Sequence, residues 1–172
     1  MSQRAKKSRS DVEPPPPGIC DPEVIGLFED ILNSGSSLRV KVTGGSMAPF
    51  LQGGDIVTLK EASCSSLHRG DLIFFKDSRG APALHRLIRK RRASSGGIIF
   101  QTKGDATILF DEPVPYQDVL GKVCKIEKGS PSGKLTCINM ESKGRRIMGY
   151  LTAWVSFMKW TGIRYLRQCR CL

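Results

Sequence analysis

The stretch LRVKVTGGSMAPFLQGGDIVTLK, residues 38–60, sets the fold. Leu38, Val40 and Val42 alternate with polar residues, the period of a half-buried strand. That strand runs into Gly44-Gly45, a corner that presents Ser46 ahead of Met47, Ala48 and Pro49. Two glycines are expected to take backbone angles that strain other residues and to leave room for another chain to approach. Pro49, without an N–H, blocks an immediate return to regular pairing. A reactive hydroxyl is displayed in this way, and so is the serine of an ordinary hairpin loop; the corner alone does not separate them.

Working outward, the same design repeats. Gly54-Asp55-Ile56-Val57 and Gly70-Asp71-Leu72-Ile73-Phe74-Phe75 are Gly-Asp turns that open β-forming runs. Ala83-Leu84-His85-Arg86-Leu87-Ile88 sets a histidine in an apolar strand, and Phe100-Gln101-Thr102-Lys103-Gly104-Asp105 closes a strand on a further Gly-Asp turn. Strands are expected at 38–43, 55–60, 71–76, 83–89, 97–102, 119–127 and 134–139, separated by Gly, Pro and Ser turns. Short strands in close succession imply a mainly β, coiled sheet rather than βαβ units. Before them, Asp21 can cap a helix with Pro22 at its first position, and Val24, Leu27, Phe28, Ile31 and Leu32 follow helical spacing until Asn33-Ser34-Gly35.

Ser-Met-x-Pro, Gly-Asp, Gly-Asp, His-Arg and Thr-Lys-Gly-Asp, in that order from Leu38 to Ile126, resemble the serine peptidase superfamily that holds type I signal peptidases and LexA-type self-cleaving repressors. The histidine brings the chain nearer the endoplasmic-reticulum, archaeal and sporulation-type signal peptidases, which use Ser and His, than the common bacterial ones, which use Ser and Lys. The resemblance implies a coiled sheet or partial barrel of the signal peptidase and LexA C-terminal type. It further implies a serine endopeptidase that removes leader or signal segments from a restricted set of peptides or preproteins.

A serine hydroxyl is un-ionised at neutral pH and needs a base, a task suited to histidine. The chain has two. His68 lies in the polar turn Ser65-Ser66-Leu67-His68-Arg69 and is expected at the surface. His85 has neighbours Leu84 and Arg86 that face the other way in a strand. In isolation such a histidine is more often a satisfied structural residue than a base. With the ordered motifs, Ser46 is assigned as nucleophile and His85 as general base and later general acid.

By resemblance, an aspartate orients His85, and both Asp111 and Asp105 match the family's positions; Asp111 is the choice for that role and Asp105 for holding the turn, with the reverse assignment left open. The resemblance also makes the Ser46 amide an oxyanion donor. Many relatives add a hydroxyl two residues earlier, where this chain has Gly44, so either Thr43 substitutes or backbone donors act alone. Gly44, Gly45, Met47, Pro49 and Leu84 complete the expected oxyanion and substrate-binding set, with Phe50 as a further pocket residue. Substrate is expected to bind as an added strand between Leu38–Gly44 and Ala81–Leu84.

Lys and Arg outnumber Asp and Glu 27 to 16, a net charge of +11 that favours acidic partners such as an anionic membrane surface or nucleic acid. Neither end has a helix-turn-helix pattern, so nucleic acid is not an expected partner, and a LexA-like regulator or a catalytically inactive peptide-binding module stands as the alternative function. Six scattered cysteines (Cys20, Cys64, Cys124, Cys137, Cys169, Cys171) form no metal-ligand pattern, and no cofactor is implied. Residues 1–18 are expected to be a disordered basic and proline-rich arm, 19–140 the catalytic unit, and 141–172 a basic amphipathic helix. The amino-terminal segment lacks the apolar core of a secretory signal. The uncharged run Ile147–Met158 is shorter than the roughly 20 residues a membrane span needs. A cytoplasmic or peripherally membrane-associated protein is therefore expected, attached through the last helix or with that helix docked on the sheet or a partner. The basic run Arg86–Arg92 is expected to be a solvated charge face at a hairpin tip.

Overall fold

The computed structural model describes residues 22–94, 96–129 and 135–169, with side chains described as far as Met158 in the last helix. The expected arm at 1–18, the Asp21 cap, Cys20 and Cys171 lie outside the described residues.

Helix α1 (Pro22–Asn33) starts on its proline and is followed by eight strands and a second helix. The strands are β1 (Leu38–Lys41), β2 (Ile56–Lys60), β3 (Leu72–Lys76), β4 (Pro82–Arg92), β5 (Ile98–Lys103), β6 (Val114–Pro115), β7 (Val119–Gly129) and β8 (Leu135–Asn139). Helix α2 (Lys143–Cys169) ends the described chain. All strands join one antiparallel sheet in the order β1-β2-β7-β3-β4-β5-β6, with β8 on β7. The fold is mainly β, as expected, and the sheet curls into a half-barrel. Register shifts at Thr58/Leu59, Phe74/Phe75 and Leu87/Arg89 supply local bends, because an extra residue on one strand steepens its twist.

The sheet is buried on both faces where β3 crosses it. Leu72 and Phe74 enter one core with Ile25 and Leu32 of α1, Val57, Leu59, Val123 and Ile126. Ile73 and Phe75 point oppositely into a second core with Leu67, Leu87, Phe100 and Val114. Period-two alternation thus serves two cores, which is why LIFF is apolar throughout.

The connection from β1 to β2 is pinched at its base. Val42 bonds across it to two successive residues, its N–H to Asp55 O and its O from Gly54 N–H, each 2.8 Å. Gly54 takes φ +100°, a conformation an L side chain resists. Within the loop Met47 and Leu51 are buried in the first core, so Ser46 is fixed by the anchor that follows it. Neither Gly44 nor Gly45 takes a positive φ, which corrects the expectation drawn from the Gly-Gly corner. A Cβ at either would meet nothing within 4 Å, so these glycines leave open space beside the chain rather than relieve strain.

Helix α2 lies on the sheet through its small residues. Gly149, Ala153 and Ser156 are buried, whereas seven large apolar residues of the same helix, Ile147, Met148, Tyr150, Leu151, Trp154, Val155 and Met158, are 47 to 62 % exposed. Gly149 touches Gly70 backbone to backbone. A Cβ on Gly70 would come within 2.4 Å of the Gly149 carbonyl carbon, and Gly70 has φ +97°, so both glycines are required for this approach.

Candidate active site

His85 and Arg86 follow one another in β4 and therefore point to opposite faces. His85 lies opposite Ile73 and rests edge-on against the Phe75 ring, centroids 6.1 Å apart. Its Nε2 is 2.9 Å from Ser46 Oγ, and its Nδ1 is 2.7 Å from Asp111 Oδ2. An ionised carboxylate only accepts, so this pairing puts the imidazole proton on Nδ1 and leaves the Nε2 lone pair for the serine hydroxyl.

Asp111 is itself held. Buried Thr102 of β5 donates its hydroxyl to Asp111 Oδ2 at 2.7 Å, the Asp111 N–H donates to Thr102 O at 3.0 Å, and the Gln101 amide donates to Asp111 O at 2.6 Å. Thr102 and Gln101 were quoted in the sequence motif without a role. Their alternation in β5, one toward each side of the strand, was the available signal.

Asp105 is engaged elsewhere. Arg86 Nε and Nη2 donate to its two oxygens at 2.8 and 2.6 Å, and Arg86 Nη1 donates to Gly70 O at 2.9 Å. The side chains of Arg86 and Asp105 are 1 and 7 % exposed, against 15 and 25 % for His85 and Asp111. Arg86 is thus not part of a solvated run. Arg89, Lys90, Arg91 and Arg92 are exposed, as expected, and they begin where the β4 register shifts after Leu87. The loop after Asp105 buttresses the serine, since Ala106 N–H donates to Ser46 O at 2.8 Å. Gly104 sits so close that a Cβ there would be 2.6 Å from that same oxygen.

Ser46 and His85 open onto a cleft of about 240 Å³ lined by Val40, Thr43, Gly44, Met47, Phe74 and Leu84, among others. Its two walls are strand edges. β1 pairs only with β2, and β4 pairs with β5 only from Arg86 onward, so Pro82–His85 have no neighbour on that side among the described residues. The turn feeding this edge is tied by Asp77, which accepts from Ala81 N–H and Arg79 N–H at 2.8 and 2.9 Å. Burial acts to raise the Asp77 pKa, but these bonds and the Arg79 guanidinium outweigh it and hold the carboxyl below its ordinary value.

The Ser46 N–H has no protein acceptor among the described residues. Of the other sequence candidates, Gly44, Met47 and Leu84 line the cleft, whereas Gly45 and Pro49 do not. Phe50 lies outside it, with the Arg86 guanidinium and the Lys128 ammonium over its ring at 5.0 and 5.5 Å. His68 is exposed and donates through Nδ1 to Ser66 O at 2.9 Å, away from Ser46. No group of three or more metal-ligating side chains is present among the described residues.

Comparison with known proteins finds similarity to catalytic subunits of the signal peptidase complex. The chain is 34 % identical over 76 residues to the subunits named SEC11C of Homo sapiens and Mus musculus, which is 44 % of this chain and 40 % of theirs. It is 37 % identical over 76 residues to the SEC11 subunit of Eremothecium gossypii, 44 % of each. The chain thus spans less than half the length of the curated relatives it matches. No family model matches the chain. The similarity supports a signal peptidase-like protein and, more broadly, a peptidase.

Proposed function

We propose that this chain is a serine endopeptidase that cuts leader or signal segments from a restricted set of peptides or preproteins. The carrying observation is the hydrogen-bonded series Ser46, His85, Asp111, whose first two members line a cleft walled by two unpaired strand edges. A polypeptide entering extended would pair its main chain with Val40–Thr43 on one side and Pro82–Leu84 on the other, which fixes its register over Ser46.

Ser46 Oγ attacks the scissile carbonyl carbon while His85 Nε2 takes the hydroxyl proton. Asp111 keeps the imidazole in the productive tautomer and stabilises the imidazolium, held in turn by Thr102 and Gln101. The tetrahedral oxyanion accepts from the Ser46 N–H, with the Thr43 hydroxyl at the cleft wall as a second donor. His85 returns its proton to the leaving amine, and the acyl group stays on Ser46. Water, deprotonated by His85, then attacks the ester, and as the acyl C–Oγ bond breaks His85 gives that proton to Ser46 Oγ, freeing the new carboxyl terminus and restoring the serine. The Arg86–Asp105 pair takes no proton in this sequence. It holds the 104–107 turn against the serine carbonyl. The small volume of the cleft, with Val40, Met47 and Leu84 around it, supports selection of small side chains next to the cut.

A serine-directed fluorophosphonate tests the reading. Wild type is expected to gain one adduct on Ser46, Ser46→Ala none, and His85→Ala at least about a hundredfold more slowly. A folded wild-type protein that takes no label and cleaves no synthetic leader peptide would return the chain to the peptide-binding module.

A further inference from the structure

We infer that the outward face of α2, with Ile108 and Leu109 beside it, is a binding surface for anionic lipid. Helices on a protein surface ordinarily turn their large apolar residues inward. Here the small stripe Gly149, Ala153, Ser156 is inward, seated on Gly70, Arg86 and Lys103, where Lys103 Nζ donates to Ser156 Oγ at 2.7 Å. Trp154 and Met158 are half exposed, and Met148, Leu151 and Val155, also about half exposed, line a cleft of about 460 Å³ with Ile108. Ile108 and its neighbour Leu109 are 60 and 63 % exposed, and the lining shared by Ile108 with Met148, Leu151 and Val155 joins loop to helix. A contiguous apolar surface of this kind on a charged protein marks an interface.

Charge selects the occupant. The segment from Lys143 to Leu172 contains no acidic residue. Exposed Lys143, Arg145 and Arg146 stand at the start of α2, and the exposed basic row Arg89–Arg92 begins beside it, with the Arg89 guanidinium 5.8 Å from the Phe157 ring centroid. Apolar side chains centred between basic residues, with indole and phenol rings among them, match the layered chemistry of an anionic headgroup region. A second copy of this chain would bring another net +11 against the same rim. No helix of the described residues is long and apolar enough to cross a membrane, so the helix would lie in the interface plane. The same loop that carries Ile108 and Leu109 also bonds the Ser46 carbonyl, so lipid contact would bring the Ser46 cleft close to the surface.

The test is flotation of the full chain with vesicles of phosphatidylcholine alone or with phosphatidylglycerol added. Wild type is expected to float with the anionic vesicles and to be released progressively by salt. Leu151→Asp/Trp154→Asp, both at exposed positions, is expected to lose at least about tenfold in vesicle binding with an unchanged unfolding midpoint, and Ile108→Asp less. Ser46→Ala is expected to bind as wild type, which separates this inference from the proposed hydrolysis. Wild type that stays with the soluble fraction, or flotation indifferent to the double variant, overturns it. A vesicle-free dimer abolished by the same substitutions overturns it in favour of self-association.

Discussion

Two neighbouring residues of β4 each hold an aspartate from the segment that follows β5, and the two pairs behave as opposites. His85 with Asp111 sits at a cleft wall, part-exposed, and one end of its chain is a hydroxyl that meets solvent. Arg86 with Asp105 is sealed beneath Gly70 and the Phe50 ring. The first is a hydrogen-bonded series that reaches the Ser46 cleft. The second is a buried charge pair with its hydrogen bonds met, a brace that tolerates no loss of one partner. On the proposed function one strand serves chemistry on one face and architecture on the other, and substitutions should separate cleanly into those that stop turnover and those that unfold the chain.

The widest separation is expected at Ser46. Ser46→Ala should lower peptide cleavage by about 10⁶-fold while shifting stability by under about 0.5 kcal/mol. Cleavage within tenfold of wild type would end the comparison. Asp111→Asn comes next, with turnover down about 10⁴-fold because the imidazole loses its tautomer, again with an intact unfolding transition. Asp105→Ala should do the reverse. Urea unfolding should report a loss of about 3 to 5 kcal/mol, since the Arg86 guanidinium is left buried and unpaired, and a loss below about 1 kcal/mol would show that Arg86 reaches solvent. Thr102→Val sharpens the comparison from the middle. Removing the hydroxyl that steadies Asp111 should cost about 1 to 2 kcal/mol of stability and several-fold in turnover, whereas an effect on stability alone would detach Thr102 from the catalytic side.

The smallest expected effect is at the turn before β4. Because the Asp77 pKa is lowered in the fold, its contribution is present above the unfolded carboxylate pKa and fades as pH falls through the folded value. Asp77→Asn should therefore flatten the acid side of the stability profile slightly, within about 1 kcal/mol. A steeper acid loss in the variant would reverse the sign.

Much of this sheet was legible because its strands are short, alternating and closed by Gly-Asp turns, so the expected strands at 55–60, 71–76 and 119–127 differ from β2, β3 and β7 by one or two residues at an end. β6 escaped because Val114–Pro115, two residues directly after Pro113, carry no period. The opposite facing of His85 and Arg86 followed from strand geometry alone. The partner of Arg86 did not: in a run of five basic residues nothing local distinguishes the one that a distant aspartate will bury. The footing of α2 was hidden for a related reason. Helical spacing separates a small stripe from a large apolar one but does not say which is inward. The backbone contact between Gly70 and Gly149 decides it, and those glycines are far apart in sequence.

The unpaired edges that wall the cleft carry a cost in crowded solution. An exposed strand edge accepts another copy's edge as readily as a peptide, the first step toward fibrils. Arg39 and Lys41 alternate with the apolar residues of β1, and both are exposed. Two such edges brought together would oppose cation to cation, so the basic side chains of this short strand act as guards against aggregation while leaving the backbone open to a single extended guest.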